Sequence, residues 1–141
     1  VEGIVLFRLK GKHNSWKTPD DLYNKLNSEF KFTLDPCPIH PRRDGLKINW
    51  KGHRVYCNPP YGHGIENWIE KAREADLAVY LLPARTDTDW WHRMAMKANE
   101  IRFLRGRLKF KGAKYNAPFP SVILIFSKKN KEYLTRFKSM I

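Results

Sequence analysis

Two continuous runs, Leu77-Ala78-Val79-Tyr80-Leu81-Leu82 and Ser121 to Phe126, constrain this chain's fold more than any other feature. A strand with one wet face alternates apolar and polar residues; a strand apolar at successive positions must be covered on both faces. Stretches with helical periodicity are available to do the covering. Leu22, Leu26 and Phe30 recur along a segment from Pro19 to about Phe30, with Thr18 placed to cap it and Asp21 three residues later. Ile65, Trp68, Ile69 and Ala72 follow an i, i+3, i+4, i+7 pattern, and Trp90, Trp91, Met94, Ala95 and Ala98 follow the cap-rich Thr86-Asp87-Thr88-Asp89. Shorter strands are predicted at Phe32-Thr33-Leu34, Arg54 to Cys57 and Ile101 to Leu104, and Leu134, Phe137 and Ile141 suggest a short terminal helix. This alternation predicts an α/β fold, a mainly parallel sheet with flanking helices. No repeat, low-complexity tract or long linker divides the sequence, so residues 1–141 read as a single domain.

Charge narrows the partner. Lys and Arg total 27 against 14 Asp and Glu, a formal +13, far more than solubility needs. A polyanion such as nucleic acid accounts for the excess, because each neutralised phosphate releases counterions; a basic protein without such a partner is the blander reading. No stretch of ~18 apolar residues occurs, and the opening VEGIVLFRLK is too short and too charged to span a membrane. With only Cys37 and Cys57, a disulfide framework is a poor explanation, and reduced thiols in a cytoplasmic protein are expected. The chain starts at Val1 without a methionine, which leaves an N-terminal signal open.

In open α/β sheets ligands bind beyond the carboxyl ends of the strands. Here those ends are Asp35-Pro36, Asn58-Pro59-Pro60-Tyr61 and Pro83-Ala84-Arg85. Two consecutive prolines fix the backbone, and Pro59 keeps a carbonyl but has no N–H. Asn58 and Pro59 together are built to accept both protons of a planar, conjugated amine, which turns its nitrogen toward an electrophile. An activated methyl needs no strong base before attack, so positioning and hydrogen bonding carry that chemistry. An amine on a duplex base reaches such a site only after the nucleotide is flipped out, and Tyr61 offers a stacking face. The competing reading, a Pro-Pro-Tyr ligand for a recognition module, suits an exposed disordered segment better than the end of an apolar strand.

Cys37, His40, His53 and Cys57 have zinc-like spacing, but in an unusual ligand order and with Cys57 in a predicted buried strand; both cysteines read as small core residues and no metal is expected. His13, His63 and His92 form no ligand pattern. The basic segment containing Arg105, Arg107, Lys109, Lys111 and Lys114, interleaved with Leu108 and Phe110, is a candidate DNA-backbone contact, and Arg85 joins it from a strand end.

Several pieces, in order, carry a family resemblance: Trp16-Lys17-Thr18-Pro19, Phe32 to Cys37, Asp44-Gly45-Leu46 with Trp50, Val55 to Tyr61, Leu82 to Thr88, Arg105 to Phe110, and Ala117 to Ser121. In these the chain resembles the phage-type Dam family of DNA N-6-adenine methyltransferases. The resemblance implies a reduced Rossmann-like S-adenosylmethionine-dependent fold, with Asn58, Pro59, Pro60 and Tyr61 as catalytic loop. It implies an S-adenosylmethionine site bordered by Asp35, Pro36, Cys37 and Asn58, with Trp16, Thr18 and Pro19 as a second wall, DNA as partner, and the cytoplasm of a host cell if the gene is phage-borne. The chain departs from methyltransferases at large in having no Gly-x-Gly after Asp35, and too few residues between Asp35 and Asn58 for two further strands. The same loop chemistry also serves cytosine N-4 or glutamine methylation, and a non-catalytic nucleic-acid-binding module is the alternative from another class.

Overall fold

In the computed structural model the described residues are 16–38, 43–129 and 135–140. They form five strands, β1 (Arg54–Cys57), β2 (Leu77–Pro83), β3 (Glu100–Leu104), β4 (Ser121–Ser127) and β5 (Arg136–Met140), with helices α1 (Asp20–Phe30), α2 (Ile65–Glu70) and α3 (Asp89–Arg93). Single 3-10 turns, Lys71–Arg73 and Ala95–Lys97, extend α2 and α3. The strands make one sheet in the order β1-β2-β4-β3-β5.

The sheet is mixed, which corrects the expectation of a mainly parallel one. β1 pairs β2 and β3 pairs β5 in parallel, whereas β4 runs antiparallel to both β2 and β3. The cause lies in the connection: residues 105–120 contain no helix, and a parallel return needs a crossover that usually is one. The chain therefore folds back beside β3. A second correction concerns the end of the chain, where the predicted helix is strand β5, paired residue for residue with β3 from Glu100↔Arg136 to Leu104↔Met140. Phe137 thus lies in a strand, and Leu134 and Ile141 fall outside the described residues. The predicted strand Phe32–Leu34 is reduced to one parallel bridge, Leu34↔Val55, supported by the Tyr56 N–H donating to the Leu34 carbonyl at 3.0 Å.

The apolar runs behave as their composition demands. All of β2 is buried, and in β4 Val122, Ile123 and Leu124 have no exposed surface. Tyr56 lies opposite Val79 in the β1–β2 register and Tyr80 follows Val79, so the two tyrosines point to opposite faces. Tyr56 meets Tyr23 of α1, ring centroids 5.1 Å apart, and Tyr80 meets Trp50 and donates to the Trp68 carbonyl of α2 at 2.6 Å. α1 is further pinned by Arg102 of β3, 6 % exposed, which grips Glu29 through two hydrogen bonds of 2.7 and 2.6 Å and lies over the Phe30 ring. Among the described residues no helix is long and apolar enough to cross a membrane.

Because β1, β2, β3 and β5 share one direction, their carboxyl ends reach the same edge of the sheet. Asp35, Asn58, Arg85 and Arg105 follow the ends of Leu34, β1, β2 and β3 there. The mixed sheet leaves intact the convergence on which the site depends.

Candidate active site

Asn58 follows the last residue of β1 and is half-buried. Its side-chain Nδ2 donates to the Trp16 carbonyl at 2.5 Å and to Thr18 Oγ1 at 3.2 Å. Its Oδ1 accepts from the Tyr61 hydroxyl at 2.7 Å, and the same hydroxyl lies 3.1 Å from the Leu81 carbonyl. A carbonyl is an acceptor only, so the Trp16 carbonyl fixes which end of the amide faces it. Burial pushes the Tyr61 phenol well above its ordinary range, which keeps it a donor. An amide oxygen has two lone pairs, so with Tyr61 on one Oδ1 retains acceptor capacity.

The predicted cap of α1, Thr18, serves elsewhere. Pro19 occupies the cap position without a side-chain cap bond, and Thr18 Oγ1 lies 2.5 Å from the Tyr56 hydroxyl as well as within reach of Asn58. The hydroxyl that would hold the helix end holds the site, and the hydroxyl of Tyr56, which is 2 % exposed, has a partner. Thr88, by contrast, caps α3 as expected, accepting from the Trp91 N–H at 3.3 Å.

Around this network stand four aromatic rings. Trp16 stacks on Tyr61 with centroids 6.2 Å apart and planes at 26°, and meets Phe110 and Phe119 edge-on at 5.2 and 5.1 Å. Tyr61, only 4 % exposed, also meets Phe119 at 5.8 Å. The open stacking face expected on Tyr61 is therefore covered by Trp16. Sequence reasoning misses Phe110 and Phe119 as site residues, although both lie in the matching pieces Arg105–Phe110 and Ala117–Ser121; the cations between them are the more conspicuous signal.

Asp35 follows the Leu34 bridge, one strand over from Asn58. Its Oδ1 accepts from the Cys37 N–H at 3.0 Å. The side chain reaches solvent at its outer edge, but the protein around it raises its pKa through desolvation, and the Cys37 bond only partly offsets this. Burial, with the Asp35 charge beside it, pushes the Cys37 thiol up to about 12, and Cys57, fully buried, is raised too; neither is a ready thiolate. Pro36 is held from behind by Gly45: a Cβ there would fall 2.0 Å from the Pro36 carbonyl oxygen and 2.9 Å from Trp68. The turn is kept in place by Trp50, whose Nε1 donates to the Gly45 carbonyl at 3.1 Å.

The predicted DNA contacts occupy the same edge but differ in freedom. Arg105, Arg107 and Lys109 are exposed on a loop anchored by Phe110, 1 % exposed. Lys111 is tied to α1 through a 3.0 Å ion pair with Asp20, and its N–H donates to the Lys17 carbonyl. Lys114 lies over Tyr115, and Arg85 over Phe119 at 5.8 Å. A cavity of about 620 Å³ lies elsewhere, between the α2 and α3 regions and the end of β4, lined in part by Ile69, Met94 and Phe126; it contains none of the predicted site residues. Among the described residues no three His, Cys, Asp or Glu side chains group as metal ligands, and His53 is engaged with Thr33 at 3.0 Å; His40 and His13 lie outside those residues.

Residues 8–140, nearly the whole chain, match the family model for DNA N-6-adenine-methyltransferase (Dam). No curated protein matches the chain. The chain belongs to the DNA N-6-adenine-methyltransferase family: it is an enzyme of DNA methylation, acting with a methyl donor on the N6 amine of adenine.

Proposed function

We propose that methyl transfer takes place at Asn58-Pro59-Pro60-Tyr61, with S-adenosylmethionine as donor and an adenine flipped from the DNA as acceptor. The observation that carries this reading is the orientation of Asn58: Trp16 and Thr18 take its amide N–H groups, and Tyr61 leaves Oδ1 with acceptor capacity. Asn58 Oδ1 and the Pro59 carbonyl accept the two amine protons, so the nitrogen lone pair is turned out of conjugation toward the methyl. Preorganised acceptors of this kind act where charge develops, and their contribution grows as the N–H bonds polarise.

The residues beyond β1 fit the donor in kind. Asp35 presents a carboxylate fixed by the Cys37 N–H beside Pro36, and the partly exposed ring of Trp16 is an aromatic surface suited to a cation. When bound, S-adenosylmethionine supplies a sulfonium methyl that is already activated. Trp16 stands on the face of Tyr61 that a flipped base would use, so base binding exchanges the Trp16 ring for the base. Arg85, Arg105, Arg107 and Lys109 lie along the same edge and serve the phosphates. The parallel Leu34–β1–β2 segment, with Asp35 and Asn58 at its carboxyl ends, supports a reduced Rossmann-like core in a single domain.

Incubating the protein with plasmid DNA and methyl-labelled S-adenosylmethionine tests the reading. Label is expected in N6-methyladenine. Label in N4-methylcytosine, or none with folded protein, contradicts it.

A further inference from the structure

Ser121 opens β4 and is 1 % exposed. Among the described residues its Oγ is the one buried side-chain oxygen or nitrogen without a hydrogen-bond partner. A hydroxyl taken out of water and left unanswered destabilises a fold, and the packing of the strand does not call for one. Ile123 and Ile125, next on the same face, are apolar, and alanine would fill the place of Ser121 without that cost. The register sets the hydroxyl at the edge that carries the site. Ser121 faces Pro83, the last residue of β2, and the Ala84 N–H donates to the Pro120 carbonyl at 2.9 Å, so the pairing runs on past the start of β4. Its side of the sheet is the one on which Tyr56 meets α1, because Tyr56 faces Val79 and Val79 faces Ile125. Phe119, two residues before Ser121, turns its ring onto Trp16 at 5.1 Å, Tyr61 at 5.8 Å and Phe110 at 6.1 Å. The unanswered hydroxyl thus stands beside the aromatic cluster, one pleat inward from Phe119.

We infer that the Ser121 hydroxyl donates a hydrogen bond to a ring nitrogen of the flipped adenine. The inference rests on the reading that base binding exchanges the Trp16 ring for the base against Tyr61. A base in that place has Phe119 for a neighbour, as Trp16 has, and Ser121 lies directly behind Phe119. Asn58 and Pro59 take both protons of the amine in that reading, so the polar atoms left on the base are its ring nitrogens. These are acceptors only, and a hydroxyl can donate to them. S-adenosylmethionine also carries an adenine, and the order of the strands separates the two. β1 has β2 on one side and the Leu34 bridge on the other; Asp35, proposed for the donor, follows that bridge, whereas Ser121 lies across β2 on β4. The base, held against Tyr61 and Phe119, is on the Ser121 side of Asn58.

Steady-state methylation of plasmid DNA by the full-length Ser121→Ala protein tests this, with its melting temperature and calorimetry with S-adenosylmethionine alongside. The KM for DNA should rise roughly 10-fold, the scale of one neutral hydrogen bond, with kcat held, as for a contact made equally in ground and transition states. The melting temperature should stay or rise, since the substitution removes an unanswered hydroxyl, and cofactor affinity should not change. Ser121→Cys, close in size and a weaker donor, should give an intermediate KM. Fluorescence anisotropy with labelled single-stranded oligo-dA and oligo-dT reads the same bond without chemistry: Ser121→Ala should lose roughly 10-fold on oligo-dA and nothing on oligo-dT. Parental KM and parental affinity for oligo-dA overturn the inference, and a lowered melting temperature beside them would assign the hydroxyl to the fold. Weaker cofactor binding with DNA binding intact overturns it too, and would move the hydroxyl to the adenine of S-adenosylmethionine. The oligo-dA readout needs no methyl transfer, and loss of Asn58 is read in the rate at saturating DNA, so the two proposals fail separately.

Discussion

The Tyr61 hydroxyl donates to Asn58 Oδ1 at 2.7 Å from a ring that is 4 % exposed and stacked on Trp16. Tyr61 is therefore a positioning residue before it is a stacking surface. Tyr61→Phe keeps the ring and removes only the hydroxyl, which steadies Asn58 and lies near the Leu81 carbonyl. Methyl transfer is expected to fall about 10-fold with little change in thermal stability, the scale of one modest hydrogen bond. Tyr61→Ala is a different experiment, because emptying a buried aromatic site costs roughly 3–5 kcal/mol. Chemical denaturation of both variants separates the effects; equal destabilisation would show that the hydroxyl, not the ring, holds the fold.

Thr18→Val tests the other side of the amide. It removes an acceptor for Asn58 Nδ2 and the partner of the buried Tyr56 hydroxyl. An orphaned buried polar group costs about 1–3 kcal/mol, so a lower urea midpoint is expected. kcat should fall more than KM for DNA rises, and Thr18→Ser should restore both. A variant with an unchanged kcat would confine Thr18 to structure.

Asp35 gives a pH dependence whose sign is fixed. Desolvation raises its pKa in the folded protein; the protonated form is favoured by folding, and its contribution to stability is present at low pH and lost as pH rises through the raised value. Above that range the charge works against the fold and, in the proposed site, for cofactor binding. Asp35→Asn is expected to raise the melting temperature slightly at neutral pH while weakening S-adenosylmethionine binding, and to remove the loss of affinity on acidification. Calorimetry from about pH 4 to 8, upward from the ordinary carboxylate range, reads both effects; unchanged affinity would remove Asp35 from the site.

Neutralising Arg105, Arg107 and Lys109 together should weaken DNA binding on all sequences and flatten its salt slope by about one unit for each phosphate no longer neutralised. Lys111 differs, since its ammonium is engaged with Asp20. Lys111→Met is expected to change the slope less and to cost at most about 1 kcal/mol, as exposed ion pairs do. An unchanged slope in the triple variant would put the DNA on another surface.

The local chemistry of the chain is largely legible in its sequence, and its long-range pairing is not. β1, β2 and β4 follow from β-branched and aromatic runs that only a covered sheet accommodates. The direction of β4 depends on whether residues 105–120 hold a helix, which their basic composition leaves open. The end of the chain shows the same limit: Leu134, Phe137 and Ile141 have helical spacing, yet the free edge of β3 draws residues 136–140 into a strand. At the site, Asn58 and Tyr61 stand out because two prolines at a strand end are unusual. The second role of Thr18 does not, because a cap and a site contact call for the same hydroxyl. Phe110 and Phe119 pass for core residues, and only their approach to Trp16 joins them to Tyr61.

The most direct measurement is the single-turnover methylation rate of Asn58→Ala at saturating DNA and cofactor, with circular dichroism to verify the fold. In the proposed mechanism Asn58 accepts an N–H whose polarity grows as nitrogen attacks the methyl, so its loss should appear in the rate and not in either binding step. A fall of at least ~100-fold is expected, the scale for removing one preorganised hydrogen-bond partner of a transition state. A folded Asn58→Ala protein that methylated adenine at the parental rate would contradict the account.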